Sequence, residues 1–176
     1  MAGHDFDRFV AESTDGLLRT AYLIAGDLHE AEDIVQETLF KVADRWPRVS
    51  GMDHPAAYAR RILVNLAVRG NPKRSRRRAE LRDPERRDPQ LLNAPAGASA
   101  PATALDDHDE LHAALAALPP RQRAVLVLRY FLDLPEAEVA AALQCSLGTV
   151  KSTASRGLAR LEQTLRFTHD TRSIAS

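Results

Sequence analysis

The sequence predicts an all-α protein made of two small helical domains joined by a flexible linker. Apolar residues recur with helical periodicity from position 6 to 69 and again from 105 to 165, and few runs alternate with the two-residue period of strands. Over about positions 89–104 the chain is low in charge and rich in alanine, proline and other small residues, which cannot form a core. The 176 residues, 44% of them hydrophobic, are enough for two such domains.

The N-terminal domain is expected to begin with two helices. The first starts at Phe6, and the polar run at positions 13–16 is expected to interrupt it. The second follows Asp27, which suits an N-cap because Glu30 lies three residues later, as in a capping box. Pro47, directly after a tryptophan, ends this helix.

The second helix is amphipathic. Its buried stripe is predicted to contain Ala31, Ile34, Val35, Thr38, Leu39 and Val42. Its outward face is acidic and amide-bearing, with Glu30, Asp33, Gln36, Glu37 and Lys41. The carboxylates would repel DNA, so this face suits a protein partner. Taken alone, the pattern fits a solvated surface face better.

A loop and a third helix complete the N-terminal domain. Positions 48–54 are predicted to form the loop, with Gly51 inside it. Pro55 suits the first turn of the helix that follows, and Gly70 with Pro72 ends that helix.

The net charge is zero, with 24 basic and 24 acidic residues, but the charges are segregated. Basic residues crowd one tract, namely Arg69, Lys73, Arg74, Arg76, Arg77, Arg78, Arg82, Arg86 and Arg87. Such a tract could neutralise phosphates and give salt-sensitive binding to nucleic acid. A disordered, solvated arm is an equal alternative from charge alone.

The C-terminal domain is predicted to start with a capping box at Asp107 and Glu110. The paired prolines at 119–120 break that helix, and positions 121–131 form a strongly apolar one. A short helix follows from Pro135.

A helix-turn-helix pattern comes next. The short helix ends in a tight turn at Gln144 and Cys145, and Ser146 caps the last helix. The exposed positions near the start of that last helix carry polar or cationic side chains, which can read bases and bind phosphates in a major groove. They are Thr149, Lys151, Ser152, Ser155 and Arg156. Two packed helices with a polar surface are the alternative. Gln144 stands where a left-handed backbone usually takes glycine, at a cost on the order of 1 kcal/mol.

Three stretches carry the motifs of one family. They read A-E-D-I-V-Q-E from Ala31, then L-P-P-R-Q-R-A-V-L-V-L-R-Y from Leu118 and E-V-A-A-A-L-Q-C-S-L-G-T-V-K-S from Glu138. In this order and spacing the chain resembles a bacterial RNA polymerase sigma factor, of the extracytoplasmic-function (ECF) type in the sigma-70 family. The resemblance implies a promoter-specificity subunit that binds core polymerase, recognises the minus 35 and minus 10 elements and helps to open DNA.

The resemblance also implies a domain layout and partners. Positions 1–78 would be sigma region 2, 79–105 the linker, 106–168 sigma region 4 and 169–176 a tail. Partners would be the largest-subunit coiled coil and the flap region of core polymerase, promoter DNA and an anti-sigma protein. The residues implied to contact core are Asp33, Gln36, Glu37 and Phe40. Region 4, with its helix-turn-helix, would read minus 35 DNA.

For the minus 10 element, the loop and the third helix would capture a base flipped out of the duplex. The residues implied are Arg48, Ser50, Met52, Tyr58, Arg61, Asn65 and Arg69. Extruding a base costs a few kcal/mol, which stacking and hydrogen bonds in a pocket must repay. Ordinary roles remain as alternatives, with Tyr58 in the core and Asn65 satisfying backbone groups.

The composition argues against several other classes of protein. A single cysteine, Cys145, excludes an internal disulfide and a cysteine-cluster zinc site, and the six histidines lack ligand spacing. We therefore expect no metal, no cofactor and no catalytic residues, with Cys145 used for packing. No apolar run approaches the roughly 20 residues that span a bilayer, so we expect a cytoplasmic protein.

Two other functions remain open from the sequence. The chain could be a stand-alone helix-turn-helix regulator that uses its N-terminal unit for dimerisation or ligand sensing. It could also be a polymerase-binding decoy that no longer opens DNA.

Overall fold

The computed structural model describes residues 2–70 and 103–174, with side chains at 4–70 and 110–166. Within these ranges every regular element is helical, which confirms the all-α prediction. The N-terminal unit comprises α1 (Ala2–Ala25), α2 (Leu28–Asp44), α3 (Trp46–Val49) and α4 (Pro55–Arg69). The C-terminal unit comprises α5 (Thr103–Ala116), α6 (Pro120–Leu126) with a π-helical continuation (Val127–Phe131), α7 (Glu136–Leu143) and α8 (Leu147–Ile174).

Helix α1 is continuous, so the predicted break at positions 13–16 is wrong. The hydroxyl of Thr14 donates to the carbonyl oxygen of Val10 at 2.6 Å, and that of Thr20 donates to Gly16 at 2.7 Å. These hydrogen bonds to the preceding turn satisfy both hydroxyls, so the helix is not interrupted.

Helix α2 has the predicted cap and the predicted buried stripe. The carboxylate of Asp27 accepts a hydrogen bond from the backbone N–H of Glu30 at 2.8 Å. The stripe faces the core, with Ala31, Ile34, Val35, Thr38 and Val42 all buried. Leu39, also predicted for the stripe, is only half-buried and packs at the edge of the core. Helices α1, α2 and α4 pack on one another around this stripe.

A short helix occupies the start of the predicted loop. Trp46 begins α3 and is 8% exposed, because its ring packs against Phe6 and Phe9 of α1 at centroid distances of 5.1 and 5.0 Å. Aromatic pairs at such distances are favourable beyond their buried area. The loop is therefore confined to positions 50–54, and Arg48 lies on a helix.

The first helix of the C-terminal unit begins earlier than predicted. Helix α5 starts at Thr103, so Asp107 and Glu110 lie inside it and the predicted capping box is wrong. Helix α8 packs across α5, α6 and α7. Gly157 allows the close approach to α6, because a Cβ there would lie 3.2 Å from Cγ of Leu126.

The helix-turn-helix forms as predicted from α7 and α8. Gln144 adopts the left-handed conformation, with φ 52° and ψ 51°, and the hydroxyl oxygen of Ser146 accepts from the backbone N–H of Thr149 at 3.1 Å. Val139 and Val150 are fully buried between the two helices. Cys145 packs at the edge of the core, as expected.

The two units pack against each other. Helices α1 and α4 of the N-terminal unit contact α5, α6 and α7 of the C-terminal unit, and one hydrophobic core draws residues from both. Most of the predicted linker and of the basic tract falls at positions 71–102, outside the described residues. None of the helices in the described parts of the chain is long and apolar enough to cross a membrane.

Candidate functional site

The four residues predicted to bind core polymerase form one stripe on α2. Asp33, Gln36, Glu37 and Phe40 follow each other at three- and four-residue steps, and this set is called the α2 acidic face. Asp33 and Gln36 are exposed, whereas Glu37 is half-buried and its carboxylate lies 3.6 Å from the ammonium of Lys41. The four side chains therefore present a single surface opposite the buried stripe.

Phe40 distinguishes the α2 acidic face from an ordinary solvated helix. Its side chain is 75% exposed, the highest value among the large apolar residues that the structure leaves at the surface. Covering such a ring releases roughly 1.5 to 3 kcal/mol. An aromatic ring beside two carboxylates is suited to a partner with an apolar pocket and basic neighbours.

A second surface lies at the start of α4, where Tyr58 stands between two arginines. Its phenolic oxygen accepts a hydrogen bond from Nη1 of Arg45 at 3.2 Å, and the guanidinium carbon of Arg61 lies 5.4 Å from the ring centroid. The hydrogen bond to Tyr58 raises the pKa of Arg45 above its ordinary value. The result is a half-exposed aromatic ring bordered by two cations.

Arg45 belongs to this candidate surface although the sequence does not predict it there. It caps the C-terminus of α2, thirteen residues before Tyr58, and only the turn through α3 brings the two together. In the sequence, Arg45 is marked only by its place directly before Trp46 at the end of a predicted helix. That place does not predict a contact with Tyr58.

Asn65 lies on the same side of α4 and is already engaged. Its amide nitrogen donates to the carbonyl oxygen of Arg61 at 2.7 Å and to that of Ala142 in α7 at 3.2 Å. The side chain therefore points toward the C-terminal unit.

The other residues predicted for minus 10 DNA are spread along the same region. Arg48, Ser50 and Arg69 are exposed, at α3, in the loop and at the end of α4. Met52 is half-buried and packs against the core, so less of its side chain is available to a base.

The third surface is the first two turns of α8. Lys151, Ser152, Ser155 and Arg156 are exposed, and Thr149 is half-buried. Nε of Arg156 donates to the carbonyl oxygen of Ser152 at 3.2 Å, and the ammonium of Lys151 lies 3.7 Å from the carboxylate of Glu136. Both contacts are exposed, so both cations can be redirected to phosphates or bases.

Metal-ligating side chains do not cluster in the described residues. Nowhere in that part of the chain do three His, Cys, Asp or Glu side chains approach closely enough to hold a metal ion.

Comparison with known proteins decides the family. Residues 9–79 match the model of sigma-70 region 2, and residues 108–161 match that of sigma-70 region 4. The RNA polymerase sigma-E factor of Streptomyces coelicolor is 34% identical over 168 residues, which cover 92% of this chain and 86% of that protein. The chain belongs to the sigma-70 family, as an ECF sigma factor.

Other relatives agree with this assignment. The ECF RNA polymerase sigma factor SigG of Mycobacterium tuberculosis is 33% identical over 184 residues, covering 92% of this chain and 49% of SigG. Among solved structures, the complex of sigma factor RpoE with anti-sigma factor NepR from Bartonella quintana contains a similar chain. The TM-score is 0.63 at 27% identity, covering 92% of this chain and 97% of that one.

As a sigma factor, the protein is a promoter-specificity subunit of RNA polymerase. The two matched regions overlap the two helical units, one each, and the alternative of a stand-alone regulator is not favoured. Its partners are core polymerase and promoter DNA.

Proposed function

We propose that this sigma factor binds core polymerase, minus 10 DNA and minus 35 DNA through three separate surfaces. The α2 acidic face docks on core polymerase, the start of α4 with Arg45 and the 50–54 loop holds opened minus 10 DNA, and the first turns of α8 read the minus 35 element. One observation carries the proposal: three separate residue sets lie at the surface of α2, around the start of α4 and on the first turns of α8, and each has chemistry suited to a different partner.

The α2 acidic face is suited to a basic protein surface. Its carboxylates would repel DNA, whereas they complement lysine and arginine side chains on a polymerase coiled coil. The exposed ring of Phe40 supplies the apolar anchor that such an interface needs at its centre.

The α4 surface is suited to single-stranded DNA. Stacking a base on an aromatic ring is worth about 1 to 3 kcal/mol, which offsets much of the cost of unstacking it from the duplex. Tyr58 supplies the ring, and Arg45 and Arg61 on its two sides supply positive charge for the backbone. Arg48 and Ser50 are exposed on the segment that precedes α4, and we assign them contacts with the edge of that base.

The α8 surface is suited to a major groove. Ser146 caps the helix, and the turns that follow carry hydroxyl and cationic side chains in phase with one face. Arg156 and Lys151 can reach guanine edges or phosphates, and the serines can reach either kind of group.

Further features belong to the same proposal. The protein itself catalyses no chemical step, and the phosphoryl transfer belongs to the polymerase that it recruits. It acts in the cytoplasm, where that polymerase works. An anti-sigma protein is a fitting additional partner, because the solved chain that it resembles was captured with one.

Permanganate footprinting tests this proposal. Core polymerase plus the protein should make thymines in the minus 10 region of a cognate promoter reactive, as unpaired bases are. If the protein bound core but left every thymine protected, it would be a polymerase-binding decoy. If it bound no cognate core polymerase, the proposal would fail at its first step.

Glu37→Lys is expected to weaken binding to core polymerase without changing helicity. The substitution reverses one charge of the α2 acidic face and places it beside Lys41, which destabilises the helix by only a few tenths of a kcal/mol. Affinity for core, measured by fluorescence anisotropy, should fall about tenfold or more. Glu12→Lys makes the same charge change on an exposed position of α1 and should bind as the wild type does. Equal affinity for the Glu37 variant would refute the assigned face.

Arg156→Ala is expected to remove about 1 to 3 kcal/mol of minus 35 binding if the guanidinium contacts a base edge. Binding to matched and base-substituted minus 35 duplexes would be compared by titration at fixed salt. Lost discrimination at one base pair assigns a base contact. A uniform loss on every sequence, with a smaller salt slope, would instead make Arg156 a phosphate contact.

A further inference from the structure

One of the two cations assigned to the minus 35 surface is paired with a carboxylate of the neighbouring helix. The ammonium of Lys151, at the start of α8, lies 3.7 Å from the carboxylate of Glu136, at the start of α7. The other cation, Arg156, donates to the neutral carbonyl oxygen of Ser152 in its own helix, at 3.2 Å. That contact leaves the charge of Arg156 in place, whereas the charge of Lys151 is offset by an opposite charge.

The packing of the helix-turn-helix fixes where these two charged groups lie. Glu136 lies one turn before Val139, and Lys151 directly follows Val150. Both valines are fully buried between α7 and α8. Glu136 also belongs to the first turn of α7, where the positive end of the helix dipole favours a negative charge. Both residues belong to the C-terminal unit, so the pair is a property of the helix-turn-helix itself.

The pair is exposed enough to meet DNA. The side chain of Lys151 is 66% exposed and that of Glu136 is 36% exposed, so the ammonium can reach a groove while the carboxylate stays at the helix surface. An exposed pair of this kind contributes little to the stability of the fold. Its main effect is therefore expected on DNA binding.

The pair responds differently to the two kinds of group that DNA presents. A lysine ammonium has three N–H donors, so it can donate one to Glu136 and still offer two to the O6 and N7 acceptors of a guanine. A base edge carries no net charge and does not repel the carboxylate. A phosphate that reaches the ammonium also comes close to the carboxylate, and the two negative charges repel each other.

We propose that Glu136 is a specificity-determining residue of the minus 35 surface, which positions Lys151 and lowers its affinity for phosphates. Phosphate contacts supply most non-specific binding, whereas base contacts distinguish one sequence from another. The carboxylate thus weakens binding to unrelated sequences more than binding to the cognate element. The inference deepens the proposed function and rests on it, since it takes α8 as the helix that reads minus 35 DNA.

Glu136→Gln tests this role in the full-length protein. Affinities for a duplex with the cognate minus 35 element and for a scrambled duplex would be measured by fluorescence anisotropy between about 0.1 and 1 M salt. For the scrambled duplex, one additional phosphate contact should steepen the slope of log affinity against log salt by about 0.9, or about eightfold in affinity over that range. Cognate binding should tighten less, so the ratio of cognate to scrambled affinity should fall about threefold or more at the lowest salt.

Three further variants separate this role from other effects of the carboxylate. Glu138→Gln removes the same charge from the same turn of α7, but Glu138 lies 4.0 Å from Arg60 of α4, so slope and ratio should not change. Glu136→Asp keeps the charge and should retain most of the wild-type ratio. In a Lys151→Met background, Glu136→Gln should no longer change the salt slope.

An unchanged slope and ratio for Glu136→Gln would overturn the inference. An equal effect of that substitution in the Lys151→Met background would also overturn it, because the carboxylate would then act on DNA without the lysine. A wild-type protein that binds both duplexes with equal affinity would instead overturn the proposed reading of minus 35 DNA by α8, so the two failures are distinguishable.

Discussion

Phe40→Ala is expected to weaken the complex with core polymerase by about tenfold to a hundredfold. The ring is 75% exposed in the free protein, and burying it at the centre of an interface is worth roughly 1.5 to 3 kcal/mol. Because so little of the ring is buried within the chain, its removal should leave the melting temperature nearly unchanged. The two measurements together separate a docking residue from a folding residue.

Phe40→Leu is the matched control, since it keeps most of the apolar bulk. It should retain most of the affinity, measured under the same conditions by anisotropy or calorimetry. If the alanine variant bound core as the wild type does, the α2 acidic face would not be the docking surface. A large drop in its melting temperature would instead assign the ring to the fold.

Arg123→Ala is expected to destabilise the protein by about 3 to 5 kcal/mol, or roughly 10 °C in melting temperature. The substitution removes the donor from four carbonyl oxygens, two in each unit, and three of these hydrogen bonds are buried. Thermal unfolding followed by circular dichroism would measure the loss.

Arg121→Ala removes the same side chain from an exposed position of the same helix and should change the melting temperature little. Arg123→Lys keeps the charge but lacks the planar guanidinium that donates to several acceptors at once. We therefore expect a loss of stability smaller than that of the alanine variant. Wild-type stability of the alanine variant would show that the buried guanidinium does not hold the units together.

Local periodicity and capping were enough to predict most helices. The α2 stripe, the Asp27 cap and the Ser146 cap follow from residues within one or two turns of each other. The predicted break in α1 is wrong for a reason that is also local. The hydroxyls of Thr14 and Thr20 donate hydrogen bonds to carbonyl oxygens of the preceding turn, so the helix continues. Helix α3 depends instead on Trp46 packing against α1, which no local pattern displays.

The candidate surfaces were predictable to a similar degree. Residues on one helix face, such as those of the α2 acidic face, recur every three or four positions, so the sequence predicts that they lie together. Arg45 reaches Tyr58 only through the turn at α3. The contacts of Asn65 with α7 and of Arg123 with α1 join residues 77 to 99 positions apart, and their geometry depends on how the two units pack.

Transcription by reconstituted holoenzyme tests the central claim most directly. Core polymerase, the purified protein and a genomic template library would be combined, and transcript starts would be mapped with and without the protein. The expected result is a set of starts that requires the protein and shares one motif near minus 35 and another near minus 10. Phe40→Ala should reduce all of these starts together, and Arg156→Ala should alter the preference at minus 35. Starts that are identical with and without the protein would contradict its assignment as a promoter-specificity subunit.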